Sequence, residues 1–355
     1  MASDPLVFRA MNRRRLVLAS AATAAAAPFA RFSSALAQDG MVITGVTDTA
    51  GLGDQNFNDL ADAGGKQAAE EYGIEWRVLE SQNAADYIPN LTRAAEESDL
   101  TVAIGFLLTD AVAEIAAQYP DSRFMLIDSV VEADNVASVL FKEQEGGFLA
   151  GIAAGLLAGP ERKVGVVGGI RIPPVIRYEV GFRAGVMTVA PDVEVLISYA
   201  DDFENPTLGK ELTLAQYDQG ADIVFPIAGR TGVGSFDAAV ERGEGAWIIA
   251  ADADQSHLGP DNQLCAALKK IDESVVRVVG QVVDDSFEGG IQNLGISEDG
   301  VDLAAWHGSV AEDIIAQVDG YKQAIVDGTV VPPVDDETFE TFEPVVVDGV
   351  ATPAS

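Results

Sequence analysis

From residue 41 onward, short apolar runs rich in β-branched residues alternate with longer stretches whose apolar positions recur every three to four residues. The first kind reads as buried strand and the second as amphipathic helix. Strands are predicted at 42–47, 74–79, 100–104, 123–127 and 136–140, with helices at 59–72, 88–97 and 110–118 between them. Residues 146–157 read as a helix with small residues on one face. After Gly159-Pro160 the alternation restarts. Its strands fall at 163–167, 193–197, 223–227 and 247–250, and its helices near 175–189, 208–219 and 236–242. Strand–helix–strand alternation implies parallel sheets with right-handed crossovers.

The restart divides the chain. One continuous sheet is possible, but an α/β protein of two doubly wound parallel-sheet lobes facing across a ligand cleft explains it better. A long helix from Leu264 to about Phe287 then returns to the first lobe, and the chain from about Val301 recrosses a hinge. The expected organisation is a leader at 1–37, lobe 1 at 38–141 plus 262–292, lobe 2 at 142–261 plus 293–333, and an acidic tail at 334–355. The segment after Val331-Pro332-Pro333 reads as an edge fading into a flexible tail.

Between the first strand and first helix the chain reads DTAGLGDQNF, from Asp48 to Phe57. In an α/β fold, a turn at a strand's carboxyl end is where ligands are met. Gly51 and Gly53 let it bend tightly, and Asp54 is placed to cap the helix. Asp48 remains as a hydrogen-bonding carboxylate and Phe57 as a flat stacking surface. An ordinary turn whose Phe packs into the core fits the segment equally well.

The leader carries Arg13-Arg14-Arg15, then a weakly apolar, Ala-rich stretch, then Ser34-Ala35-Leu36-Ala37. That order is an export signal of twin-arginine type rather than a membrane span. No cysteine follows the small residues, so no bacterial-type lipid anchor is expected. The formal charge of −34 over 355 residues, with 56 acidic against 22 basic side chains, grows more negative once the leader's arginines leave. Such a surface repels nucleic acid and anionic lipid. It suits concentrated salt, although solubility alone is a competing reason. The single cysteine, Cys265, excludes an intrachain disulfide. Two histidines, His257 and His307, offer no metal cluster. No charge relay or phosphate-cradling loop is present, and no cofactor is expected.

Seven segments then coincide in order. They are Gly53–Asp59 (GDQNFND), Gly105–Asp110 (GFLLTD), Glu145–Gly151 (EGGFLAG) and Gly181–Val186 (GFRAGV). The others are Asp222–Gly232 (DIVFPIAGRTG), Ala251–Gln255 (ADADQ) and Leu264–Asp272 (LCAALKKID). Together, over about 42–331, the chain resembles the basic membrane protein family of substrate-binding proteins. These are type I periplasmic-binding-protein folds that include purine nucleoside receptors of ABC transporters. The resemblance implies that Asp48 and Phe57 meet the base, that Phe225 closes the stack, and that Asp252 and Lys269 hold the ribose hydroxyls. Asn58, Asp110, Gly229 and Arg230, carried by the same motifs, are further candidate ligand contacts.

The chain departs from the family at Cys265 and Ala266, where hydroxyl residues are common, and at Arg230, where a glycine is common. Arg230 could enter the cleft or pair with surface acids. Arg171 and Arg177 flank a Pro-Pro loop that could edge the cleft, with solvated ion pairs as the default. Trp306 and His307 are expected to pack at the hinge.

The leading expectation is therefore an exported solute receptor. It takes a nucleoside-like ligand, delivers it to an ABC permease, binds no nucleic acid and acts as a monomer. A sensor of the same fold, or a receptor for a sugar or other polar solute, is the alternative. An enzyme is disfavoured, since no His, activated Ser or metal cluster supports the carboxylates.

Overall fold

In the computed structural model residues 40–159 and 161–347 are described, and the leader lies outside them. The chain runs β1 (Val42–Thr47), α1 (Phe57–Tyr72), β2 (Glu75–Leu79), α2 (Tyr87–Glu97), β3 (Leu100–Ile104), α3 (Thr109–Gln118), β4 (Phe124–Ile127), β5 (Val136–Phe141) and α4 (Glu143–Leu157). It then repeats the same order: β6 (Lys163–Gly168), α5 (Pro173–Val189), β7 (Glu194–Tyr199), α6 (Pro206–Asp218), β8 (Ala221–Ile227), α7 (Arg230–Arg242), β9 (Trp247–Asp252), β10 (Gln263–Lys269) and α8 (Ile271–Val283). The chain closes with β11 (Gly290–Leu294), β12 (Val301–Ala304), α9 (Glu312–Val326) and α10 (Asp336–Glu340).

The strands form two six-stranded sheets, ordered β11-β5-β4-β3-β1-β2 and β12-β10-β9-β8-β6-β7. Each strand of the first has a counterpart in the second. Strand β12 runs antiparallel to β10, whereas β11 runs parallel to β5. Every residue of β3 and β4 is buried, as expected where helices cover both faces of a parallel sheet. That is why these strands read as unbroken apolar runs.

The last helix of each repeat crosses over. Helix α4 packs on α5, β10 and β12 of the second sheet, and α8 packs on α1 and β3 of the first. With the link from β11 to β12, the chain passes between the lobes three times. The passages are tied together: Lys142 N donates to Leu294 O at 2.9 Å, and Lys270 N to Gly300 O at 2.9 Å. Lys142 also pairs with Glu298 at 3.0 Å and Lys270 with Asp299 at 2.9 Å.

Helices α4 and α5 approach closely because glycines face each other. A Cβ on Gly151 would lie 2.0 Å from Phe182 O, and one on Gly185 would lie 2.1 Å from Phe148 O. This contact sets the start of α4 beside the middle of α5, where two buried charges meet.

Three expectations are corrected. Residues 264–269, grouped above with lobe 1 and read as helix, belong to strand β10 of the second sheet; the helix begins only at Ile271. Leu264 to Ala267 are all buried, and a short apolar run covered on every side carries no period that separates strand from helix. Helix α9 lies in a segment for which no helix was expected. The described part of the tail is also docked. Asp335 and Thr338 form a capping box at α10, Arg171 donates to both oxygens of Asp336, and Arg183 sits 4.0 Å from the Phe339 ring centroid.

Candidate functional site

The carboxyl ends of the parallel strands of both sheets converge on one cavity of about 580 Å³, part of it open to solvent. The first lobe contributes Asp48, Asp54, Phe57, Asn58, the turn at Gly105 and Asp128. The second contributes Tyr178, Phe203, Gly229, Asp252 and Lys269. This is the placement expected for open α/β sheets.

The β1–α1 turn is organised by two carboxylates. Asp54 accepts from the backbone N–H groups of Asn56 (3.0 Å), Asn58 (2.8 Å) and Asp59 (3.1 Å), so it caps α1 from outside the N-cap position, which is Asn56. Asp59 accepts from Gly53 N (2.8 Å) and Gln55 N (2.9 Å). With the turn held, Asn58 Nδ2 donates to Asp48 Oδ1 at 2.9 Å, and Ala50 N donates to the same oxygen at 3.0 Å. Burial disfavours the Asp48 carboxylate and pushes its pKa up to about 6. Gly105, at φ +114, lets the β3 turn pass beside Asp48 Oδ2 and the Phe57 ring; a Cβ there would stand 3.4 Å from each.

The facing wall is a buried charge cluster. Lys269, 2% exposed at the end of β10, lies 2.5 Å from Asp128 Oδ2 and 2.9 Å from Glu143 Oε1. The other oxygen of Glu143 is held by Arg177 Nε at 2.5 Å. Burial alone would lower the lysine's pKa, but the carboxylates of Asp128, Glu143 and Asp252 outweigh it and raise the value. Burial pushes the Asp128 and Asp252 carboxyls up, against the pull of the ammonium. Tyr178 donates to Asp252 Oδ1 at 3.0 Å and fixes that carboxylate. Asp128 and Asp252 are counterparts in the two repeats. Each stands at a strand's end in the left-handed region, at φ 70 and φ 63. The ammonium also lies 5.2 Å from the Phe57 ring centroid, so a ring stacked on Phe57 has the lysine beside it.

Of the sequence candidates, Asp48, Phe57, Asn58, Gly229, Asp252 and Lys269 share this cavity. Phe225 does not. It is fully buried in β8, packed on Tyr178 and Phe182 with ring centroids 5.5 Å away, because that strand is covered on both faces. The aromatic that reaches the cavity from the second lobe's loops is Phe203, after β7. Asp110, near the start of α3, lines a separate groove with Pro120 and Val131. Arg230 is exposed at the start of α7 and outside the cavity lining. Cys265 and Ala266 are buried inside β10, so their lack of hydroxyls does not alter the lining. Arg171 serves the tail, and Arg177 is an internal partner of Glu143 rather than a solvated one. His307 packs on Trp247 at 5.0 Å, and neither it nor Trp306 lines the cavity.

Sequence reasoning missed Asp128, Tyr178, Phe203 and Glu143, and named Arg177 only as a possible edge of the cleft, not as the partner of Glu143. The signal for Asp128 was available, since it directly follows a predicted strand in the position that Asp252 holds in the second repeat. Among the described residues no His, Cys, Asp and Glu group could hold a metal ion.

The sequence matches the family described as PnrA-like ABC transporter substrate-binding protein over residues 41–335. A Listeria monocytogenes protein named CD4+ T-cell-stimulating antigen is 34% identical, over 81% of this chain and 87% of its own. The ABC transporter nucleoside-binding protein BmpA of Lactococcus lactis is 32% identical, over 81% and 88%. Among solved structures, a solute-binding protein of an ABC transporter system from Aeropyrum pernix superposes with a TM-score of 0.78. It is 31% identical and covers 85% of this chain and 96% of its own.

Proposed function

The chain belongs to the PnrA-like, or basic membrane protein, family of ABC transporter substrate-binding proteins, and from that premise we propose that it captures a nucleoside, a purine nucleoside above all, by closing its lobes. Members of the family are solute-binding proteins, not enzymes. They work outside the cytoplasm with a membrane permease, and no helix among the described residues is long and apolar enough to cross a membrane. The ligand, its delivery to an importer and the twin-arginine route of export belong to the proposal.

One observation carries the reading: the cavity sets the Phe57 ring beside the hydrogen-bonding Asp48 carboxylate and brings a second carboxylate, Asp252, and the Lys269 ammonium, 5.2 Å from that ring, into the same lining. Phe57 offers the stacking face, and Asp48, steadied by Asn58, accepts from the edge of the base. Asp252, steadied by Tyr178, accepts from the ribose hydroxyls, with Lys269 as donor beside it. Asn58 Oδ1 and Asp128 Oδ1 are buried without a protein partner, and donors of the ligand would satisfy them. The name of the Lactococcus relative supports the same ligand class.

Calorimetry in high salt tests this with inosine, guanosine, adenosine and their free bases. Phe57→Ala should weaken every stacked ligand by about 1–3 kcal/mol, whichever base it carries. Asp252→Ala should weaken the nucleosides by at least about 1.5–3 kcal/mol, the range of a hydrogen bond to a charged group, and leave the bases nearly unchanged. No binding of any nucleoside by the wild-type protein would remove the ligand class. Equal losses for bases and nucleosides in Asp252→Ala would remove that residue's role.

A further inference from the structure

Apart from the three chain passages, the side-chain hydrogen bonds that join the two lobes among the described residues are few. Lys269 reaches Asp128 inside the cavity. The rest converge on one residue at the edge of the cavity, Gln55. Gln255 Nε2 donates to the Gln55 carbonyl at 3.0 Å, and His257 Nε2 meets Gln55 Oε1 at 2.8 Å. A carboxamide oxygen only accepts, so the imidazole carries its proton on Nε2.

Both sides of this contact are held before they meet. Gln55 adopts φ 56, in the left-handed region that side chains rarely enter, and Asp59 grips its backbone N–H. Backbone held in a rare conformation points to a functional demand on it. On the second lobe, Gln263 accepts from Gln255 N at 2.9 Å and donates to Asp254, which also accepts from Ser256 N. Two stiffened loops therefore present a matched acceptor pair and donor pair across the gap. Gln55 lies between Asp54 and Phe57, both in the cavity wall, yet is not part of the lining itself.

We propose that Gln55, with Gln255 and His257, is the latch of lobe closure, which sets the affinity for every ligand alike without touching any of them. The inference builds on the receptor reading above only in that closure captures the ligand. A ligand bound in the closed form has an apparent dissociation constant equal to the intrinsic one divided by the closed fraction. Loss of the latch lowers that fraction. All ligands then weaken by one common factor, seen as faster release.

The test uses the mature protein with inosine and adenosine as probes. Gln55→Gly keeps the left-handed backbone accessible and removes Oε1; His257→Ala removes the donor from an exposed side chain. Each should weaken both nucleosides by the same factor, about three- to tenfold for one neutral hydrogen bond. The dissociation rate should rise and the association rate stay constant. The double variant should be no weaker than either single one, because both remove the same bond. Affinities within twofold of wild type, factors that differ between the two nucleosides, or additive losses would overturn the latch. A wild-type protein that binds neither nucleoside counts against the ligand class instead. Small-angle scattering then decides the latch: Gln55→Gly with His257→Ala must be more expanded than wild type at equal salt, and equal radii overturn it.

Discussion

At the scale of single residues, Asp48 is one of two cavity carboxyls, with Asp128, that burial moves into an accessible pH range. Burial places its folded-state pKa near 6, above the ordinary 3.8. The folded, ligand-free protein therefore binds an extra proton between these values, and this group's contribution to stability falls as pH rises through that window. Ligand binding runs the opposite way, since only the ionised carboxylate accepts two donors from a base. Affinity for inosine is expected to fall as pH drops from 7.5 to 5, with a midpoint near 6, and Asp48→Asn should flatten that part of the profile. A wild-type profile already flat over this range would count against Asp48 as the base acceptor. The same scale shows what sequence could place. Asp48, Gly105, Asp128, Gly229 and Asp252 all stand at or just after the end of a parallel strand, so one rule applied to both repeats finds them. Phe225 fails because it lies two residues inside its strand, where side chains face the covering helices.

At the scale of elements, the α4–α5 pair positions Glu143 beside Arg177, and its closeness depends on particular glycines. Gly151→Ala puts a methyl against the backbone of Phe182 and is expected to destabilise by about 1–3 kcal/mol, as overpacked cores do. Gly146→Ala is the control on the same helix. Its Cβ would meet Tyr178 no closer than 3.7 Å, and alanine's better helix propensity favours it by up to about 1 kcal/mol. Denaturant titration of both variants should move the midpoints in opposite directions. A Gly151→Ala midpoint at or above wild type would show that the helices have room to separate. The small-residue face of α4 was legible in the sequence, but its partner was not. Two helices with low amphipathicity can pack on either lobe until the sheets exist. Strand β10 was misread for the same reason, since an apolar run buried on every side carries no period to identify it.

At the scale of the whole molecule, charge governs the response to salt. The net charge of −34 means self-repulsion across the surface, acting over a screening length of about 10 Å in 0.1 M salt and about 3 Å at 1 M. Salt also weakens attractive surface pairs such as Lys142–Glu298, but each of those contributes only about 0–1 kcal/mol. Repulsion among the many acids is the larger quantity, so the melting temperature is expected to rise between roughly 0.1 and 2 M salt. A flat or falling melting temperature would reject adaptation to salt. At this scale the two-lobed plan was readable, because the strand–helix alternation begins twice in the same order.

What the sequence determined by itself is whatever depends on local period and local chemistry: the strands of both repeats other than β10, the capped turn from Asp48 to Phe57, and the acidity. The tertiary structure alone decided which residues meet across the cleft. Lys269 and Asp128 lie 141 positions apart, and Gln55 and His257 lie 202 apart. Pairing at such separations follows from the order of strands in two sheets and from three passages of chain between them. No periodicity within either partner's own segment encodes it.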